Sequence, residues 1–189
     1  MKPRSPLHEF VSTHPVTLFV CLTLGFQLMI VLVAYAMLPH GKHLHEFPTA
    51  HMVFRFRVFG PLVFAVALTY FLEGRMGLVK LFKAFTTWRV PLRWYALAFS
   101  WKFIVTYVGL GFLALAAIRP WPGTIAEGFL PILLKNMPFI VGIALVEETA
   151  WMKFCVLRLN ERYSALRTSI IIGMCWGFWY LPMLMLGEG

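Results

Sequence analysis

The chain has 189 residues, of which 60% are hydrophobic and 13% charged, with a mean hydropathy of +0.75. A soluble domain carries roughly twice that charged fraction, and here the apolar residues fall in long runs, so a soluble globular protein is excluded in favour of a polytopic membrane protein. The formal charge of +9 lies between those runs, where it suits orientation and anionic headgroups. No basic stripe on a soluble fold is present, so nucleic acid is not an expected partner.

Residues 1–14 form a short polar start with Lys2 and Arg4, read as a cytoplasmic N-terminal segment. The first apolar run, Pro15–Leu38, is long enough to span a bilayer, and its core from Val16 is longer than the apolar region of a cleavable signal. Pro39–Pro48 is a loop holding His40, His43 and His45. Histidine-rich loops can bind metal, but Glu46 is the only nearby carboxylate and there is no nearby cysteine. A solvated loop is the expectation, with no metal or cofactor.

A second span is expected over His51–Leu72. Arg55 and Arg57 lie in its first turns and are expected to reach for the headgroups. Glu73-Gly74-Arg75 closes that span. Met76–Phe85 then mixes apolar residues with Lys80 and Lys83 at helical spacing, which suits a helix lying in the interface. Trp88, Trp94 and Tyr95 mark the headgroup level, and Val90-Pro91 breaks the helix before a third span over Arg93–Ile118. Lys102, early in that span, is expected to snorkel, with a role neutralising a glutamate as the alternative.

Arg119-Pro120-Trp121-Pro122-Gly123 is a turn-prone connection. A fourth span begins near Phe129 and ends in Glu147-Glu148. The helix is expected to continue as an amphipathic segment to Arg162, with Trp151, Phe154, Cys155 and Leu159 near one face. Tyr163-Ser164 is a break, Ser164 can cap the next helix, and the last span is Ala165–Leu186. Cys21, Cys155 and Cys175 stand apart in apolar settings without metal-ligand spacing and read as small buried residues.

The expected fold is therefore an all-α membrane bundle of about five spans, forming one membrane domain over 15–189. Lys2, Arg4, the basic residues from Arg75 to Arg93 and those from Lys153 to Arg167 fall on one side of it. Lys42, Arg55, Arg57 and Arg119 fall on the other. The larger basic set places the N-terminus in the cytoplasm, with a bacterial plasma membrane as the expected location.

Glu147-Glu148 is the most informative feature. All eight acidic residues are glutamates, and two of them stand together after the apolar Ile140–Val146. A carboxylate at membrane depth costs on the order of 2.5–3.5 kcal/mol, so it persists where it has a task or a partner. Helix neighbours point about 100° apart, so one can face a reaction centre while the other ties the helix elsewhere. A buried glutamate can activate water. The plainer alternative is a helix-end pair matched with Arg158 or Arg162, and pattern alone leaves both open. In the last span Gly173, Trp176, Gly177 and Tyr180 share a helical face. The Gly173/Gly177 pair permits close helix approach, and Tyr180 can be read as an interfacial aromatic.

Three stretches together, Glu147–Phe154, Leu157–Arg162 and Gly173–Pro182, resemble the CAAX protease and bacteriocin-processing (Abi) family of intramembrane proteases. Its motifs are EExxxR and F/WxxxH, the latter often within WGxWHLP. Glu73–Leu78 and Trp88–Trp94 are similar to that family's approach to its core, so the resemblance covers about residues 60–186. It implies a glutamate-activated water that hydrolyses peptide bonds of a membrane-associated peptide or protein substrate. Glu147 would be the base and Glu148 the partner of the motif arginine, with Trp176 in the second motif.

This chain departs from the pattern at two positions. Met152 stands at the arginine position and Tyr180 at the histidine position. No histidine occurs after His51, and the third motif of the family would lie beyond Gly189. Tyrosine donates a hydrogen bond but accepts protons poorly at neutral pH. Lys153 is a possible substitute for the arginine. The resemblance therefore implies an impaired or inactive endopeptidase, or an incomplete one. The alternatives are a pseudoprotease acting in peptide binding or bacteriocin self-immunity, and a small proton-coupled transporter-like bundle.

Overall fold

The structure is a computed structural model that describes residues 6–39, 43–86, 89–116, 118 and 129–186, with side chains except at 84, 102 and 129–133. Every regular element among these is helical. The predictions for His40, Lys42, Trp88, the Lys102 side chain, the Arg119–Gly123 turn and Gly189 lie outside what is described. Two compact units are formed, Met1–Phe82 with Ile140–Gly189, and Lys83–Phe139.

In the first unit, α1 (Pro6–Thr13) leads at once into α2 (Pro15–Ala36), which has proline in its first turn. Proline is tolerated there because its missing N–H would have no intrahelical partner. Phe19, Thr23, Gln27, Val31 and Ala34 of α2 are buried, a stripe at helical spacing, while Leu22, Met29 and Leu32 are exposed. After a 3₁₀ turn at Leu44–Glu46 comes α3 (Pro48–Arg55), then a 3₁₀ turn at Phe56–Val58, then α4 (Phe59–Lys83). Pro61 has no N–H to offer the carbonyl of Arg57, so the tighter turn falls where the α-ladder would fail.

α4 is broken at Gly74, which has φ 62° and ψ −156°. Only glycine reaches that region without strain. The break predicted at Glu73-Gly74-Arg75 is therefore real, and the Met76–Phe85 helix is a separate rod in all but name.

The helix α6 (Phe129–Glu148) carries Pro138 in its interior and runs directly into a π-helix at Thr149–Val156, followed by α7 (Leu157–Asn160). The π turn is wider than the α turn and disturbs the backbone ladder at its ends. Side chains donate at both boundaries: Thr149 Oγ1 to the Leu145 carbonyl at 2.5 Å, and Arg158 Nη1 to the Phe154 carbonyl at 3.1 Å. Thr149, Ala150, Trp151, Phe154 and Cys155 are all buried, a broader face than a single α-stripe. The last helix, α8 (Ala165–Tyr180), starts at Ser164, whose hydroxyl accepts from the Arg167 N–H, and passes into a 3₁₀ segment, Leu181–Leu186, at Pro182.

The core is centred on Trp151. Its indole is stacked on Trp176 with ring centres 5.7 Å apart and meets the Phe19 ring edge-on at 5.2 Å. Ala65, Leu68, Leu159, Ile172 and Trp179 complete this cluster, and a smaller one gathers Val31, Leu44, Phe54 and Leu186. At one end of α4, Glu73 pairs with Arg158 just before α8 begins. At its other end, Arg57 meets Trp179 near the C-terminus of α8, so α4 and α8 run antiparallel.

In the second unit, α5 (Leu92–Leu115) exposes every described side chain at least in part. Phe99, Phe112 and Leu115 are among the most exposed.

Among the described residues, Pro15–Ala36, Pro48–Lys83, Leu92–Leu115 and Ala165–Leu186 are long and apolar enough to cross a membrane. The remaining expected span corresponds to α6, which has 20 residues. The protein is an integral membrane protein whose apolar helix faces contact the lipid bilayer.

Gly60 is a close-contact position, since a Cβ there would run into the Phe26 ring. Replacing Gly74 by alanine should cost about 1–3 kcal/mol, the scale of a strained backbone at a non-glycine residue. Gly25→Ala, which meets open space, should be nearly silent. Thermal unfolding in detergent checks both.

Candidate functional site

The paired glutamates diverge in the structure. Glu147 is buried, with 9% of its surface exposed, while Glu148 is exposed. This is the consequence of adjacent positions on a helix, where one side chain must turn away when the other enters the bundle.

The cation whose field reaches Glu147 is Arg57. This arginine is only 8% exposed and interacts electrostatically with both Glu147 and Tyr180. Its guanidinium lies 4.4 Å from the centre of the Phe54 ring, 4.6 Å from that of Trp179 and 5.8 Å from that of Tyr180. The expectation that Arg57 reaches for the headgroups is therefore overturned for this residue, whereas Arg55 is exposed. The reason is tertiary. The 3₁₀ turn before Pro61 packs against α2 and aims Arg57 inward, where aromatic faces offer a desolvated cation what water would otherwise supply.

The alternative pairing of the glutamates with Arg158 or Arg162 is not found. Arg158 pairs with Glu73, and Arg162 donates to the Thr13 carbonyl at 3.3 Å. Lys153, considered as a stand-in for the motif arginine, lines a cleft with Glu73, Lys80 and Glu161 instead.

Tyr180 is 44% exposed and stacks edge-on with Trp179 at 4.9 Å. Its hydroxyl is in the field of Glu147 and Arg57. Met152 is 36% exposed and points away from the core that holds Trp151. Tyr180 and Arg57 thus lie in the field of Glu147, Trp176 stacks on Trp151, and Glu148 and Met152 are exposed. Gly173 and Gly177 are exposed, and a Cβ on either would meet nothing. The close helix approach expected from that pair is absent among the described residues.

Two buried polar residues of α2 were not anticipated. Thr23 and Gln27 are fully buried, and the Gln27 amide has no hydrogen-bond partner among the described residues. Nor have Nε and Nη1 of Arg57. The signal for Gln27 was its position four residues after Thr23 and eight after Phe19, on one helical face. For Arg57 it was the arginine two residues before the Phe59-Gly60-Pro61 break.

Among the described residues no set of three histidine, cysteine or acidic side chains could hold a metal. His43 and His45 stack on each other at 5.6 Å. The described side chains around Glu147 are a buried carboxylate, a buried guanidinium and a part-exposed phenol.

The chain matches no family model, no curated protein and no solved structure at a significant level.

Breaking a contacting buried ion pair costs about 3–5 kcal/mol, and Arg57 and Glu147 act on each other through the field without such a contact. Arg57→Met should therefore destabilise the protein by less than that, about 1–3 kcal/mol. Glu147→Gln in the Arg57→Met background should recover a large part of the loss. Thermal unfolding of the two single variants and the double variant gives the coupling directly.

Proposed function

We propose that this chain is an Abi-like intramembrane endopeptidase scaffold in which Glu147 is the carboxylate placed to activate water, with its hydrolytic power weakened. The observation that carries this reading is the placement of Glu147. It is the inward member of the pair, and its field reaches Tyr180, which stands at the histidine position of the second motif. The N-terminus is cytoplasmic in this reading, and the substrate is a membrane-associated peptide or protein.

The arrangement assigns roles as follows. Glu147 accepts the proton of a water that attacks a peptide carbonyl, and returns it to the amide nitrogen as the C–N bond breaks and the amine leaves. Arg57 brings a positive charge into the field of Glu147 itself, whereas the arginine absent at Met152 would have paired with Glu148. The Tyr180 hydroxyl donates to the oxygen that becomes negative in the tetrahedral intermediate. A second proton acceptor is missing, because tyrosine cannot replace histidine in that role at neutral pH. Losing such an orienting group typically costs about 10²–10³ in rate.

A non-catalytic peptide-binding role is the second reading. It is favoured by the same proximity of Arg57 to Glu147, because a carboxylate facing a buried guanidinium is well suited to a structural role.

A peptide-cleavage assay separates the two. Purified protein is offered a library of membrane-tethered peptides, with Glu147→Ala as reference. The endopeptidase reading expects slow cleavage that Glu147→Ala abolishes and Tyr180→His speeds by about 10²–10³. Equal background cleavage by all three proteins would sink it and leave the binding role.

A further inference from the structure

The buried stripe of α2 has a definite register against its neighbours. Phe19 shares a cluster with Ala65 and Leu68, a Cβ on Gly60 would run into Phe26, and Val31 shares the second cluster with Phe54. α2 therefore runs antiparallel to the chain from α3 into α4, and Gln27 stands at the level of the 3₁₀ turn that carries Arg57. Thr23 lies one helical turn away on the same stripe. Arg57 itself touches Trp179 of the first cluster and Phe54 of the second. A polar layer thus separates two apolar ones.

The hydrogen-bonding groups of this layer are unmet. Gln27 and Thr23 are fully buried, and Arg57 nearly so. Among the described residues no partner is found for either end of the Gln27 amide, the Thr23 hydroxyl, Nε and Nη1 of Arg57, or the Trp179 indole nitrogen. One such group is costly, and several gathered at one level point to a ligand that completes them. We propose, resting on the peptide reading of the Glu147 site, that the layer binds a peptide unit of an extended polypeptide segment. Gln27 and Arg57 hold that backbone.

The chemistry on offer is that of an amide partner. A glutamine side chain presents an acceptor and two donors on one planar group, the complement of a backbone N–H and C=O. Arg57 and Trp179 add donors for a carbonyl oxygen. A free anion is disfavoured because Glu147 already stands in the field of Arg57, and a metal cation is disfavoured by Arg57 itself. An extended segment inside an apolar bundle has no helical hydrogen bonds of its own, so its backbone must be met by the protein. Tyr180, beside Arg57 and part-exposed, brings the layer to the surface.

The test uses the full chain in non-ionic detergent and the library of membrane-tethered peptides, with binding followed by fluorescence anisotropy. Each peptide that binds wild type is remade with one backbone N–H at a time replaced by an ester oxygen. Support is a single ester position that weakens wild-type binding about tenfold. Gln27→Leu should bind the parent peptide about tenfold more weakly and lose the sensitivity to that ester. Without peptide it should unfold at or above the wild-type temperature, because an apolar side chain of similar size removes the unmet amide. A purely structural Gln27 instead lowers that temperature and leaves the ester scan flat, which overturns the proposal. So does equal binding by Gln27→Leu and wild type, and in both cases the peptide reading of the Glu147 site stands. The ester scan on wild type decides the matter even where Gln27→Leu does not fold. Failure of wild type to bind any peptide in the library overturns the proposal and that reading together.

Discussion

An arginine withdrawn from water inside an apolar bundle must be met by other charges or by aromatic faces. Arg57 has both. Phe54, Trp179 and Tyr180 stand around its guanidinium, and Glu147 supplies the opposite charge. These groups come from α3 and the turn that follows it, from the end of α6 and from the end of α8. Satisfying one cation therefore fixes the relative position of three elements distant in sequence. In lipid there is no hydrophobic drive between helices to do the same work, so packing and polar contacts carry it.

The π-helix at Thr149–Val156 is the second element that organises the site. It follows Glu148 directly and turns a wide face of small and aromatic side chains to α2 and α8. Trp151 is pressed between Phe19 and Trp176, and this fixes the direction in which the preceding turn presents Glu147. Rigid aromatic packing beneath a lone inward carboxylate is a sound support for a reaction centre, where small misplacements are expensive. The same support suits a fixed ion pair, so both functional readings draw on the same core.

Much of the architecture was legible because its signals are local. Proline after helix breaks, glycine at the positive-φ position 74, Ser164 at a helix start and apolar runs of spanning length each act through their nearest neighbours. The buried face of Trp151, Phe154, Cys155 and Leu159 was legible for the same reason. The candidate site was only half legible. Glu147 and Glu148 are conspicuous as adjacent carboxylates, and Tyr180 and Trp176 through their motif positions. Arg57 was hidden, because an arginine in the first turns of a span ordinarily reaches outward. Gly173 and Gly177 misled in the opposite sense, since a small-residue pair permits close packing without requiring it.

Composition and hydropathy, acting alone, determined that this is an all-α membrane protein and where most of its helices begin and end. Those properties sum over neighbouring residues, so the chain carries them wherever it folds. Only the tertiary structure decided which glutamate turns inward, that the field of Arg57 and not of Arg158 or Lys153 acts on it, and that Met152 stays outside. Each of these rests on contact between segments far apart in sequence. Periodicity within a single helix cannot specify such a contact, because it gives a face but not what will be packed against it.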